Sequence, residues 1–352
     1  VSGRNDELTG RIIGRLLETA GDAACDDHFA IDKWEWPQGV ALYALFKRWQ
    51  DRGDPETLRF LTDWFSRMLS REMPARNVNT SAPFLTLACL AEAVGDDSRL
   101  ALCDEWAGWI MTGMPRTAEG GLQHVTSHLL NEGELWADTL YMTVLFLAKM
   151  GAIRGRKDYL QEAEYQFLLH IRHLADGRDG LWRHGWSFVR RDHFGGIRWA
   201  RGNAWFTAGA PEFIAIADPA PAVRRMVTET LAAQAETLLR LQDPSGHWFT
   251  ILDDPDSYLE TSATAAIGYG LSAAVRLGLF DGDLAVRARK SAAAAAAAVS
   301  SRVDAEGVVW GVSHGTAVGL DRAHYLSIPQ APTAYGQGLA FMFLDEVSRH
   351  DS

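Results

Sequence analysis

Apolar residues recur along this chain in two alternating patterns. In the first, a polar or aromatic start and a few small residues lead into a helix that is apolar nearly all round. Six segments read this way: WPQGVALYALF from Trp36, NTSAPFLTLACLAE from Asn79, WADTLYMTVLFLAKMG from Trp136, WARGNAWFTAGAPEFI from Trp199, LETSATAAIGYGL from Leu259 and TAYGQGLAFMFLDEV from Thr333. In the second, apolar residues occupy one helical face only. In ETLRFLTDWFSRMLSREM, Leu58, Leu61, Phe65 and Met68 follow the 3.6-residue period while Arg59, Asp63 and Arg67 face outward. DELTGRIIGRLLETAG near the start, and the segments from Asp158, Pro221 and Asp283, are similar.

Helices that are hydrophobic all round belong inside, and amphipathic ones outside. Twelve helices alternating outer and inner make six hairpins that close on themselves. The pattern therefore predicts an all-α, six-hairpin (α/α)6 barrel, with residues 1–352 forming one catalytic domain. GLWRHGW at Gly180, GHWFTIL at Gly246 and GVVWGVS at Gly307 recur after outer helices. Gly permits the turn there, and the aromatic and β-branched residues suit a short extended segment, so only minor strands are expected, in loops. A helical-repeat solenoid is the other architecture such alternation permits, although solenoid repeats usually resemble one another more closely.

Composition adds limits. A hydrophobic fraction of 47% with 22% charged residues is that of a globular core. The net charge of -11, with no basic run to offset it, argues against nucleic acid and anionic membranes as partners, while an anionic small substrate can still be met by local Arg or His. Cys25, Cys89 and Cys103 form no CxxC pair and suggest neither disulfides nor zinc. No signal peptide or membrane-spanning stretch is visible, which predicts a cytoplasmic location. Oligomeric state is not encoded in any feature of the pattern. Thirteen Trp is a high count and favours a site that holds sugar rings.

If the six inner helices start on one rim, the polar and aromatic residues there converge: Trp36, Gln38, Asn79, Asp138, His184, Trp186, Trp199, Arg201, Trp205, Tyr258, Glu260, Tyr335 and Gln337. Six helix N-termini with unpaired N–H groups suit an anion, with Arg201 as a forked carboxylate partner. Asp138 in WADTLYM is the candidate acid. Its apolar neighbours would raise its pKa by desolvation and the helix dipole would lower it; as a plain N-cap it would be worth about 1 kcal/mol. From position alone, cap and catalyst are equally open. His184 could share a proton with Asp138 or be a loop histidine satisfied by backbone. Arg201 and Trp205, four apart, share a helix face with Trp199 just before it; the alternative for Arg201 is a pairing with buried Glu260. His124 and His128 have i, i+4 spacing but no third ligand, so no metal is expected.

WADTLYM, RHGW, RWARGNAW, the ETSATA run and the YGQG start of the last inner helix, in this order, resemble glycoside hydrolase family 105, the unsaturated rhamnogalacturonyl hydrolases, relatives of the unsaturated glucuronyl hydrolases. The resemblance spans essentially the whole chain. It implies an (α/α)6 barrel that uses no metal or organic cofactor. The implied substrates are anionic oligosaccharides left by polysaccharide lyases, which carry a 4,5-unsaturated uronic acid at the non-reducing end, with pectic rhamnogalacturonan the first candidate source. The implied reaction protonates C4 of the vinyl ether, adds water at C5 and lets the hemiketal collapse. The resemblance makes Asp138 the acid and then the base, sets His184 beside the unsaturated ring, and gives Trp199, Trp205 and Arg201 the pocket. Trp36, Gln38, His124, Trp186 and Tyr335 follow as further contacts. Glucuronyl hydrolases have a second Asp where this sequence has Asn79, so the resemblance implies a neutral partner there. Loops Asp253 to Tyr258 and Gly315 to Pro332 are left to select the linked sugar. A conventional glycosidase or sugar epimerase on the same barrel, or a non-catalytic sugar-binding protein, are the other functions the residues permit.

Overall fold

A computed structural model describes residues 2–22 and 24–349. The inner helices are α2 (Trp36–Arg52), α4 (Val78–Val94), α6 (Leu145–Arg154), α8 (Ala200–Ala217), α10 (Thr261–Arg276) and α13 (Ala334–Ser348). The outer ones are α1 (Ser2–Glu18), α3 (Pro55–Leu69), α5 (Asp97–Thr112), α7 (Lys157–Leu174), α9 (Pro221–Leu241) and α11 (Gly282–Ser300); α12 (Arg322–Leu326) is a short turn in a loop. Each inner helix packs on the next, and α13 returns to α2, so the ring closes. That closure selects the barrel over the solenoid.

Burial follows the two sequence patterns. Helix α4 buries nearly every residue from Val78 to Ala91, whereas α3 buries only Thr57, Leu61, Trp64, Phe65 and Met68. Small residues set the spacing of the inner ring. A β-carbon on Gly39 would lie 2.7 Å from the Ala82 carbonyl carbon of α4, and one on Gly338 2.7 Å from the Ala41 Cα. Neither backbone can retreat without opening the ring. Among the described residues, no helix is long and apolar enough to cross a membrane.

The two ends of the barrel differ. At one end α2, α4 and α6 stop at Gly53, Gly95 and Gly155 in left-handed conformation, and the chain turns at once into the next outer helix. At the other, longer loops lead from each outer helix into the next inner one. These loops hold the only strands among the described residues: β1 (Glu134–Trp136) pairs antiparallel with β2 (Gly185–Ser187), and β3 (Trp248–Phe249) with β4 (Leu259–Glu260). All six inner helices thus begin on one rim, under loops stiffened by short ladders.

Candidate active site

The β1–β2 register opposes Trp136 to Gly185, and the Ala137 amide donates to the His184 carbonyl at 3.0 Å. The next residue, Asp138, therefore starts the third inner helix directly beside His184. That helix opens with a π-helical turn over Leu140–Val144, an irregularity common at functional sites. Asp138 is not a cap: its Oδ1 accepts from the Trp205 indole N–H at 3.0 Å, and its Oδ2 lies 3.2 Å from His184 Nε2. The latter is an ion-pair distance without full hydrogen-bond alignment.

Asp138 lines a cavity of about 220 Å³ together with Trp36, Asn79, His124, Trp136 and Trp199. Arg201 closes its back, and His28 with residues 314–317 forms one side of the mouth. Asp138 is the only carboxylate among the described lining residues. His184, Trp205 and Tyr335 stand directly behind the wall. His184 packs on Trp199 with ring centres 4.1 Å apart, and Tyr335 on Trp36 at 4.5 Å.

Of the residues expected at the site, Trp205, which the resemblance gives to the pocket lining, stands with His184 and Tyr335 behind that lining, and two others are directed elsewhere. Gln38 is fully buried and donates to the Asp27 and Ala30 carbonyls, bracing the loop before α2. Trp186 points the other way along β2 and stacks on His173. His184 sits in a bend just before β2, so the two-residue period of a strand, which would put it on the same face as Trp186, does not reach it. Of the other rim residues, Glu260 caps α10, and Gln337 ties α13 to the Val309 amide and the Ile12 and Gly307 carbonyls. Sequence reasoning missed His28, His314 and Tyr325, which reach the site from loops far away in the chain.

Arg201 is 1% exposed on its side chain and its outer nitrogens are already engaged. It donates to the Ser313 carbonyl at 2.8 Å, the Ser313 hydroxyl, the His314 carbonyl at 2.8 Å and Thr316 at 3.2 Å. Glu260 lies 3.7 Å away, and the faces of Trp199 and Tyr335 cover the guanidinium at 4.6 and 5.0 Å. The expected fork to a ligand carboxylate is therefore occupied by the 313–316 loop. Arg201 presents to the cavity a buried positive charge with one unpaired nitrogen, Nε.

At Asp138, where apolar neighbours and the helix dipole pull the pKa in opposite directions, the lowering side prevails through neighbouring side chains. Burial pushes its pKa up, but the His184 hydrogen bond and the charges of His184, His124 and Arg201 outweigh that and hold it below the usual carboxylate range. Burial holds His184 down despite Asp138. The resting pair is thus a carboxylate beside a neutral imidazole.

Asp26, His28 and His314 come nearest to a metal site among the described residues, with one donor atom each within 4.8 Å of the others. The Asp26 oxygen lies 3.9 Å from His28 Nδ1 and 3.5 Å from His314 Nε2, and Asp26 is exposed. His124 is buried and bonds Thr139 at 2.8 Å, while His128 is exposed, so their helical spacing brings no shared ligand position.

Burial of neutral histidines has a stability consequence. His124 and His170 are held at about 4, mainly by burial, against about 6.5 in an unfolded chain. Between those values the unfolded chain binds more protons, so stability is complete above pH 6.5 and drains as pH falls toward 4. At pH 5 each costs about 2 kcal/mol. The urea midpoint should be clearly lower at pH 5 than at pH 7; an unchanged midpoint would mean that neither imidazole is buried neutral.

Comparison with known proteins agrees with this architecture. The family model described as Glycosyl Hydrolase Family 88 matches residues 11–350. The chain is 33% identical over 317 residues to the unsaturated rhamnogalacturonyl hydrolase YesR of Bacillus subtilis, covering 89% of each chain. A crystal structure of a possible family 105 member from Salmonella enterica superposes with a TM-score of 0.94 at 38% identity, covering 100% of this chain and 95% of that one. The unsaturated glucuronyl hydrolase of Bacillus sp. GL1, at 19% identity and a TM-score of 0.76, covers 100% of this chain and 97% of its own, and shares the fold. By a match along nearly its whole length, the chain belongs to Glycosyl Hydrolase Family 88.

Proposed function

We propose that this protein removes a 4,5-unsaturated uronic acid from the non-reducing end of lyase-generated oligosaccharides, with rhamnogalacturonan-type fragments the first substrate to test. The observation that carries this reading is the single carboxylate, Asp138, in a pocket walled by Trp and backed by a buried Arg. Displacement at a glycosidic carbon uses two carboxylates flanking the bond. Hydration of a vinyl ether needs only one group that gives a proton and later takes one back. The 33% identical relative named for unsaturated rhamnogalacturonyl hydrolysis supports the choice of substrate.

In this mechanism the planar unsaturated ring lies against Trp199 and Trp136, and Arg201 supplies the field that draws in its carboxylate. Protonated Asp138 gives its proton to C4, which leaves an oxocarbenium at C5. Water adds at C5 and loses its proton to the Asp138 carboxylate. The C5 hemiketal then opens to a ketone by breaking its bond to the ring oxygen, which stays on C1 as a hydroxyl. The hemiacetal so formed at C1 collapses to an aldehyde and releases the linked sugar as an alcohol. Trp205 N–H and His184 steady the carboxylate between the two proton transfers. Asn79 and His124 are placed to orient ring hydroxyls.

The test follows ultraviolet loss of the conjugated double bond with unsaturated rhamnogalacturonan, ulvan and glycosaminoglycan disaccharides. A steady loss on the first is expected. Because the Asp138–His184 pair needs one proton to act and both groups are shifted down, kcat/KM should fall with rising pH, about tenfold per unit well above the pair's pKa. No loss on any of the three substrates would sink the proposal.

A further inference from the structure

The hydrogen bonds behind Asp138 run in one direction only. The Gly319 amide can only donate, and it does so to the Tyr325 phenol oxygen at 3.1 Å. That hydroxyl lies 3.0 Å from His184 Nδ1, and no other side-chain or backbone acceptor is bonded to it among the described residues. At the far end Trp205 Nε1–H, also only a donor, occupies Asp138 Oδ1, leaving Oδ2 to face His184 Nε2 at 3.2 Å. A neutral imidazole donates from one nitrogen and accepts at the other. If the phenol proton sits on the hydrogen bond to Nδ1, the ring proton must be on Nε2, where it meets the carboxylate. The ring is held between Trp199, packed on it at 4.1 Å, and Trp136, which meets it edge-on at 5.4 Å.

We infer that Tyr325 is a positioning residue that fixes His184 in the Nε2–H tautomer and so keeps a donor aimed at Asp138. The inference rests on the reading of Asp138 and His184 given above. It brings in a residue 141 positions away from His184, on the short helix α12. That helix belongs to the loop whose residues 315–317 line the pocket mouth. The same loop is clamped by Arg201 at Ser313, His314 and Thr316. The segment that lines one side of the cavity therefore also carries the phenol that faces His184.

With the hydroxyl gone, the Nδ1 lone pair is buried without a donor. It can take a proton, either by tautomer exchange with Nε2 or from solvent. The charged groups around His184 are Asp138, Arg201 and His324, with His124 across the site beside Asp138. Of these only Asp138 favours an imidazolium; its carboxylate can only accept, at Nε2, so carboxylate and phenol act on opposite ring nitrogens and favour the same tautomer. Control of a tautomer by a third group is a known requirement of acid–base pairs.

The experiment compares wild type and Tyr325→Phe, a change that removes one oxygen and keeps the ring. In wild type labelled with nitrogen-15 histidine, His184 should show an unprotonated Nδ1 and a protonated Nε2 at pH 7. In the Phe variant the Nδ1–H form should become populated, and kcat should drop about tenfold or more with KM within about twofold, a part of the general-acid contribution. The falling limb of kcat/KM should move to higher pH, because a lone pair without its donor binds a proton more readily. A wild-type His184 already carrying its proton on Nδ1, or a folded Phe variant with unchanged tautomer and limb, overturns the inference. The resonance of wild-type His184 is read without substrate, so it remains decisive even if no unsaturated uronide is turned over.

Discussion

Asp138→Asn is expected to lower kcat by about 10³- to 10⁴-fold while leaving KM nearly unchanged, at a cost of about 1–3 kcal/mol in stability because the amide NH2 then faces the His184 Nε2–H. The amide oxygen can still accept from Trp205 at the position of Oδ1, now 3.0 Å from that indole. What is lost is the proton that must reach C4 and the base that must take one from water. Because the same oxygen atoms serve both steps, no other acid among the described lining residues can divide the work. The two alternatives foresee different results. A capping Asp would cost about 1 kcal/mol of stability with activity intact, and the Trp205 and His184 contacts already exclude that role. A sugar-binding protein would bind as before with no turnover to lose. Steady-state ultraviolet assays of both proteins, with denaturation curves alongside, separate these outcomes. Residual activity within tenfold of wild type would remove Asp138 from the reaction.

How far the sequence speaks depends on the range of the interaction. The barrel was legible because helix position is written locally, in 3.6-residue stripes for α3 and in all-round apolar runs for α4. The rim was legible for the same reason: Asp138, Trp199 and Arg201 all sit where an apolar run begins, and the motif resemblance ties them to one family. Trp186 and His184 are two apart and would share a face in a continuous strand; they part company because the chain bends at His184 before β2 begins, and sequence carries no mark of that bend. His28, His314 and Tyr325 carry no local signal, since each lies in an irregular loop and meets the site only through closure of the ring. The sign of the Asp138 shift needed the same long-range knowledge. Its sequence neighbours are apolar and argue for a raised value, while the groups that lower it, His184, His124 and Arg201, are brought in by the fold. Asn79 remains as read, a neutral side chain in the cavity wall.

Arg201→Ala should cost about 3–5 kcal/mol of stability, the range for breaking one side of a buried charge pair, together with about 100-fold or more in kcat/KM. The guanidinium is the common partner of the 313–316 loop, the Glu260 carboxylate and two aromatic faces. Glu260 keeps its bonds to Ser262 and the Ser313 amide, so its own cap of α10 survives. The Ser313 carbonyl, however, is then left with the Tyr335 hydroxyl as its donor and the His314 carbonyl with that of Thr316, so the loop loses the one group that ties these positions together. The loop they belong to also reaches Tyr325, so its release should disturb His184 at the same time as it removes the positive field at the back of the cavity. Arg201→Lys distinguishes the two effects. An ammonium restores a charge near Glu260 but cannot serve Ser313, His314 and Thr316 together with a planar fork. Lysine should therefore recover part of the stability and little of the activity. Urea midpoints and kcat/KM for both variants test this. An alanine variant as stable as wild type would show that the loop finds other donors, and a fully active lysine variant would show that only the charge matters, not the fork that holds the loop.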